Sequence, residues 1–167
     1  STELGYSFHN RWLVFKANAY YTKWLDKSMT KKGKITEQYY INMTGVHSKH
    51  MGLEFELRAT PVHWVEAGAM LSLGNWKWDS DNVKGYAYTL SGQAVTPDGG
   101  ITTPGAPDHA YATINMKGIH IGGSAQTTAA IDVTFKPFTG FRIGGGFTHY
   151  SRNYAYYSLS GSSLKLG

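Results

Sequence analysis

The stretch MGLEFELRATPVHWVEAGAMLSLGNWKW, residues 51–78, decides how the rest of the chain is read. Met51, Leu53, Phe55, Leu57 and Ala59 alternate with Gly52, Glu54, Glu56, Arg58 and Thr60. After Pro61-Val62-His63, which reads as a tight turn, Val65, Ala67, Ala69, Leu71 and Leu73 alternate with Glu66, Gly68, Met70, Ser72 and Gly74. A period of two marks β-strand and sends each apolar set to one sheet face and each polar set to the other. The stretch is therefore two long strands joined by a hairpin. Ionised Glu54, Glu56 and Arg58 on one face do not suit a packed core. Five successive apolar positions on the opposite face do not suit water. An apolar exterior around a wet interior accommodates both, as in the wall of a transmembrane β-barrel.

The same pattern continues on either side. Leu4, Tyr6 and Phe8 form a first strand, and His9-Asn10-Arg11 turns the chain. A second strand starts near residue 12, with Leu13, Phe15, Ala17, Ala19 and Tyr21 on one face, and runs to about residue 27. Residues 28–37 read as a polar loop, and a third strand runs from Gln38 to Ala59. Gly45 inside it signals a bulge or bend. A fourth strand covers residues 64–78, and a long insert rich in Gly, Pro, Thr and Asp fills residues 79–121. Within the insert, residues 86–90 and 93–95 flank Ser91-Gly92 as a small hairpin standing in solvent. Fifth and sixth strands cover residues 123–136 and 141–157 around the turn Pro137-Phe138-Thr139-Gly140. Short turns and long loops thus alternate, as in antiparallel outer-membrane barrels. All five tryptophans fall near strand ends, where aromatic girdles sit.

The expected fold is all-β, an antiparallel transmembrane barrel segment of about six strands. Six strands cannot close, so the two free edges call for partners in a larger barrel. The chain is read as a piece of a longer protein. Leu13, Phe15, Leu53, Phe55, Leu57, Leu71, Ile131, Val133, Phe141 and Ile143 are expected to face lipid, and Glu54, Glu56, Arg58, Glu66, Asp132 and Arg142 the lumen.

Composition agrees. Hydrophobic content of 41% and aromatic content of 14%, with twelve Tyr and twenty Gly, suit strands and girdles. No apolar run approaches the length of a transmembrane helix. Cysteine is absent, which excludes disulfides and thiolate metal sites. The net charge of +5 is scattered, and the densest cluster, Lys31-Lys32-Gly33-Lys34, reads as a solvated loop tip rather than a nucleic-acid or lipid contact. No catalytic constellation, cofactor motif or metal set is found, so an enzyme is not expected. Asp79-Ser80-Asp81-Asn82 begins like a calcium loop but lacks its glycine and distal Glu. Gly144-Gly145-Gly146 opens no helix and is no dinucleotide motif. Asn42-Met43-Thr44 is a formal glycosylation sequon without meaning in a bacterial outer membrane. The candidate ligand surface is aromatic: Trp76, Trp78, Tyr86, Tyr88 and Tyr111, with Asp79, Asp81 and His109 as polar contacts. The bland alternative is girdle for the tryptophans and loop packing for the tyrosines.

Several segments carry a resemblance. Glu3-Leu4-Gly5-Tyr6, Ala17-Asn18-Ala19-Tyr20-Tyr21 with Asp26, Gly52-Leu53-Glu54-Phe55-Glu56-Leu57, and the hairpin formed by residues 129–154 resemble successive strands of TonB-dependent outer-membrane receptors, in the style of the Bacteroidota. The resemblance implies the later part of a barrel of about 22 strands. It implies residence in the Gram-negative outer membrane and energised uptake of a scarce nutrient: a siderophore, haem, cobalamin, a glycan or a peptide. It further implies as partners the membrane lipid, the rest of the barrel, a plug, and the TonB system acting through that plug. The plug, the TonB-contacting segment and the C-terminal aromatic of the family are absent from this sequence. A passive porin and a soluble β-sandwich binding module are the competing readings. Residues 28–37 and 79–121 are expected outside the cell, and the short turns in the periplasm.

Overall fold

A computed structural model describes residues 1–32 and 39–156. All regular structure among them is strand, in an antiparallel sheet that does not close. In chain order the strands are β1 (Thr2–His9), β2 (Leu13–Lys32), β3 (Tyr39–Val62), β4 (Val65–Trp78), β5 (Val83–Thr89), β6 (Ala94–Val95), β7 (Ile101–Thr102), β8 (Tyr111–Ile114), β9 (Ala125–Phe135) and β10 (Ile143–Asn153). The six expected strands correspond to β1 to β4, β9 and β10, which neighbour one another in the order β10-β9-β4-β3-β2-β1. Among the described residues β1 pairs only with β2, and β10 only with β9.

Boundaries shift from expectation at several strand ends; the last two expected strands, 123–136 and 141–157, shorten to Ala125–Phe135 and Ile143–Asn153. β3 continues through Pro61 and Val62, so the turn falls on His63 and Trp64. The Thr60 N–H donates to the Trp12 carbonyl at 2.7 Å, which keeps β3 in its ladder up to the proline. Residues 28–32, expected in a loop, extend β2 to Lys32. Residues 33–37 of that loop, Gln38 at the expected strand start and Tyr157 lie outside the described residues.

The chain divides into two compact units. The meander unit comprises Ser1–Lys23, Lys49–Trp76 and His120–Ala155, and the loop unit comprises Trp24–Ser48, Lys77–Ile119 and the chain from Tyr156. The three short turns belong to the first, and residues 28–32 and 79–119 to the second.

In the meander unit the register adds the alternation of one strand to that of the next. Val65 pairs with Phe135, Ala67 with Val133 and Ala69 with Ile131, while Glu66 pairs with Thr134 and Gly68 with Asp132. β9 and β10 repeat this, with Phe147 opposite Ile131 and Gly146 opposite Asp132. On β1 and β2, Tyr6 pairs with Ala17 and Phe8 with Phe15. Paired residues share a sheet face, so one face is apolar and the other polar. Ring contacts of Tyr6 with Phe15 at 6.3 Å and Phe15 with Phe55 at 6.5 Å carry the apolar face across three strands.

The loop unit has a core of ordinary kind. β5 pairs with the start of β3, placing Ile41 beside Ala87 and Met43 beside Gly85. Its other edge pairs with β8, placing Val83 beside Ile114 and Gly85 beside Ala112. Ile41, Met43, Val83, Ala87, Ala112 and Ile114, with Val46, Val95, Ala110 and Met116, form one buried cluster against which Met29, Tyr39 and Trp78 pack. Gly45 has φ of +73°, and around it the buried positions of β3 pass from Ile41 and Met43 to Val46 and Ser48. An inserted residue of this kind is a bulge, and glycine adopts the left-handed backbone at no steric cost. The hairpin expected at Ser91-Gly92 forms, with the Thr89 N–H donating to the Gln93 carbonyl at 2.9 Å. Only its tip, residues 90–93, is exposed: Ala94 and Val95 are buried in the core. The insert is thus a packed unit, because Ala94, Val95, Ala110, Ala112, Ile114 and Met116 supply it with apolar side chains to bury.

Candidate functional site

The charged residues expected to face a lumen fall on the polar face of the meander unit. Arg58 reaches Asp132 at 3.2 Å and Glu56 at 3.9 Å, and Lys16 lies 3.7 Å from Glu56. Lys136 pairs with Glu66. Lys16–Glu56 and Arg58–Asp132 cross from one strand to another, Lys136–Glu66 joins β4 to the residue that follows β9, and Glu56–Arg58 runs along β3. Exposed pairs of this kind contribute about 0–1 kcal/mol each, so they set the charge pattern of the face more than its stability. A Cβ at Gly68 would collide with the Asp132 carboxylate and the Arg58 guanidinium. Glycine at this point of β4 leaves the space through which that pair meets.

Further along the same face sits a cluster that the alternation alone does not single out. The Trp76 indole N–H donates to the Tyr20 hydroxyl at 2.9 Å, and His50 stacks on the Trp76 ring at 5.6 Å. Gln126 is buried; its Oε1 accepts from the Trp76 N–H at 3.0 Å, and its Nε2 donates to the carbonyls of Trp76 at 2.9 Å and Ile121 at 3.1 Å. His120 lies 3.3 Å from the Gln126 oxygen and stacks on Tyr154 at 4.0 Å. Arg152, with φ of +56°, donates to the Gly74 carbonyl at 2.9 Å. Trp76 is therefore held by contacts within its own unit. A lone buried amide such as Gln126 has no sequence signal beyond a polar residue at the head of an alternating strand.

In the loop unit the side of the sheet opposite the core carries tyrosines. The register sets Tyr40 beside Tyr88, Asn42 beside Tyr86, and Tyr86 beside Tyr111. Tyr40 and Tyr88 stack at 5.6 Å, Tyr86 and Tyr111 tilt together at 6.0 Å, and the Lys84 ammonium lies 4.6 Å from the Tyr111 ring centre. All four rings are half-buried, so each presents part of its face. Such a surface can stack flat ligand faces and donate phenolic hydrogen bonds, with a cation at its edge. Tyr40 was missed because it stands at the start of β3, distant in sequence from the insert.

The remaining expected contacts do other work. His109 is buried, stacks on Tyr86 at 4.7 Å, accepts from the Gly105 N–H at 3.1 Å and lies 3.0 Å from the Ala87 carbonyl. Because Nδ1 is the acceptor, Nε2 carries the proton and donates to Ala87, so both ring nitrogens are engaged. His109 thus props the tyrosines from behind and offers a ligand no free nitrogen. Trp78 packs on the core, with the Lys27 ammonium 6.0 Å from its ring. Asp81 pairs with Lys117 at 3.4 Å, and the Asp79 N–H donates to the His47 carbonyl. Of the eight expected contacts, Tyr86, Tyr88 and Tyr111 form the exposed face. Among the described residues no group of three or more His, Asp or Glu is placed to hold a metal ion. No protein-family model, curated protein or solved structure matches this chain.

Proposed function

We propose that this chain forms part of the wall and outer loops of an outer-membrane β-barrel transporter of the TonB-dependent type, which takes up a scarce nutrient. The observation that carries this reading is the meander unit. Its ion-laced face is backed by a face on which Leu4, Leu53, Ile131, Ile143 and Phe147 are 45–76% exposed. A soluble sandwich covers such a face with a second sheet, whereas a barrel covers it with lipid. On this reading Glu54, Glu56, Arg58, Glu66, Asp132 and Arg142 line the lumen, and the free edges of β1 and β10 pair with further barrel strands. The loop unit lies outside the cell, where its tyrosine face contacts the ligand. The short turns lie in the periplasm.

Fractionation combined with uptake tests the reading. The protein should stay in the outer membrane through an alkaline carbonate wash, and collapse of the proton-motive force should stop uptake while leaving it folded. Release by carbonate would end the membrane reading. Uptake that continues without the proton-motive force would leave a passive pore.

A further inference from the structure

The tyrosine face of the loop unit has a shape and a charge that narrow its ligand. Its rings form one continuous row across β3, β5 and β8. Tyr40 stacks on Tyr88 at 5.6 Å, Tyr88 meets His109 edge-on at 5.0 Å, His109 stacks on Tyr86 at 4.7 Å, and Tyr86 tilts against Tyr111 at 6.0 Å. The Lys84 ammonium ends the row, 4.6 Å from the Tyr111 ring centre. His109 is buried, so the accessible part of the row is tyrosine, with Lys84 at one end. Each half-buried tyrosine offers apolar ring surface and a hydroxyl that both donates and accepts. The register puts Asn42 and Thr113 on the same face and no Asp or Glu. Nearby acids are occupied: Asp81 by Lys117, Asp98 by Thr96 and Asp108 by Thr102. β5 is paired on both edges, with β3 and with β8.

We propose that this row binds a linear, uncharged oligosaccharide, with the C–H faces of successive sugar rings against the tyrosines and the sugar hydroxyls bonded to the phenols. The proposal rests on the tyrosine face being the ligand contact, as above. Charge selects a neutral ligand: no acid on the face would hold a cation, and the single ammonium already sits over a ring, where an anion would call for several converging cations. Shape selects a linear one, since the rings follow one another across three strands instead of closing around a compact molecule. A peptide held by a sheet takes its backbone bonds from a free edge, and β5 has none along this row. A sugar needs no edge. Its apolar ring face and its hydroxyls match the two surfaces that a tyrosine presents.

The test is saturation-transfer NMR on the protein purified in a sugar-free detergent. Maltohexaose, cellohexaose, xylohexaose and mannohexaose are the neutral probes, and hexagalacturonate is the charged one. At least one neutral probe should receive saturation at its ring C–H protons and bind more tightly than hexagalacturonate. Tyr88→Ser should weaken that binding about tenfold, and Tyr88→Phe, which keeps the ring, should weaken it less. Lys84→Gln should leave it unchanged. An unshifted Gly105 amide in each variant shows that the loop unit is still folded. Hexagalacturonate bound as tightly as the best neutral probe would overturn the proposal. So would a loss on Lys84→Gln as large as that on Tyr88→Ser, because the cation would then be the selector. Silence of all four neutral probes overturns the saccharide: if Tyr88→Ser still lowers uptake in cells, the face keeps its role with another ligand, and if uptake is untouched both fall.

Discussion

On strand β3, Met43 is fully buried in the loop unit, while Leu53, further along in the meander unit, is 45% exposed. Both stand in alternating runs, one on each side of the Gly45 bulge. In the loop unit Ile41 and Met43 alternate with Tyr40 and Asn42, and the apolar side finds a core. In the meander unit Leu53, Phe55 and Leu57 alternate with Glu54, Glu56 and Arg58, and the apolar side finds no protein among the described residues. Among the described residues the buried aliphatic core belongs to the loop unit. A period of two specifies strand and face, but the solvent on each face is set by what else the chain or its surroundings can lay against it.

Substitutions should separate the two regions. Met43→Ala should cost about 2–5 kcal/mol, felt as local opening of the loop unit in hydrogen exchange, with the meander strands unchanged. Simultaneous loss of protection in β9 and β10 would mean the two regions are one cooperative core. Phe55→Arg should destabilise the protein in lipid by about 2–4 kcal/mol if the residue lies near the bilayer midplane, whereas Phe55→Leu should be close to neutral in denaturant titration. If arginine is tolerated there as well as leucine is, residue 55 faces water.

Gln126→Ala removes the buried amide that bonds Trp76 and Ile121. It should cost about 1–3 kcal/mol and raise exchange at the Trp76 amide, and unchanged exchange there would deny it a structural role. Tyr88→Ser should weaken ligand capture without altering assembly, because the ring is half-exposed and His109 and Tyr86 hold the neighbouring face. Normal uptake by that variant would move recognition elsewhere. The smallest effect concerns Asp98, whose carboxyl is held below its ordinary range by the Thr96 hydroxyl and then by nearby backbone N–H groups. A depressed folded pKa stabilises above the unfolded value and is lost as pH falls through the folded one. The turn at residues 96–100 should therefore loosen only in acid, below about pH 4, and Thr96→Val should shrink that dependence in an NMR titration of the Gly100 amide.

Much of this was legible in the residues themselves. The six long strands followed from period two, and their faces from the register that period imposes. The insert was harder. Ala110, Ala112, Ile114 and Met116 alternate as regularly as residues 51–59, but their small side chains and the surrounding Gly, Pro and Asp disguise β8 as loop. The candidate site was half legible: Tyr86, Tyr88 and Tyr111 follow from alternation in the insert. The contacts that hold Trp76, to Tyr20 and Gln126, come from strands distant in sequence, and the burial of His109 was hidden by a polarity that suggested exposure where both ring nitrogens are satisfied inside.

The central claim is that alternate residues of β3 meet different solvents in the meander unit. The chain has no cysteine, so single spin labels report one position each. Labels at Leu53→Cys, Phe55→Cys and Leu57→Cys should be relaxed by oxygen, which concentrates in lipid, in the membrane-inserted protein. Labels at Glu54→Cys, Glu56→Cys and, in the loop unit, Ser91→Cys should be relaxed by a water-soluble nickel complex. Nickel access at 53, 55 and 57 equal to that at 54 and 56 would contradict the account, since the apolar face would then be wet.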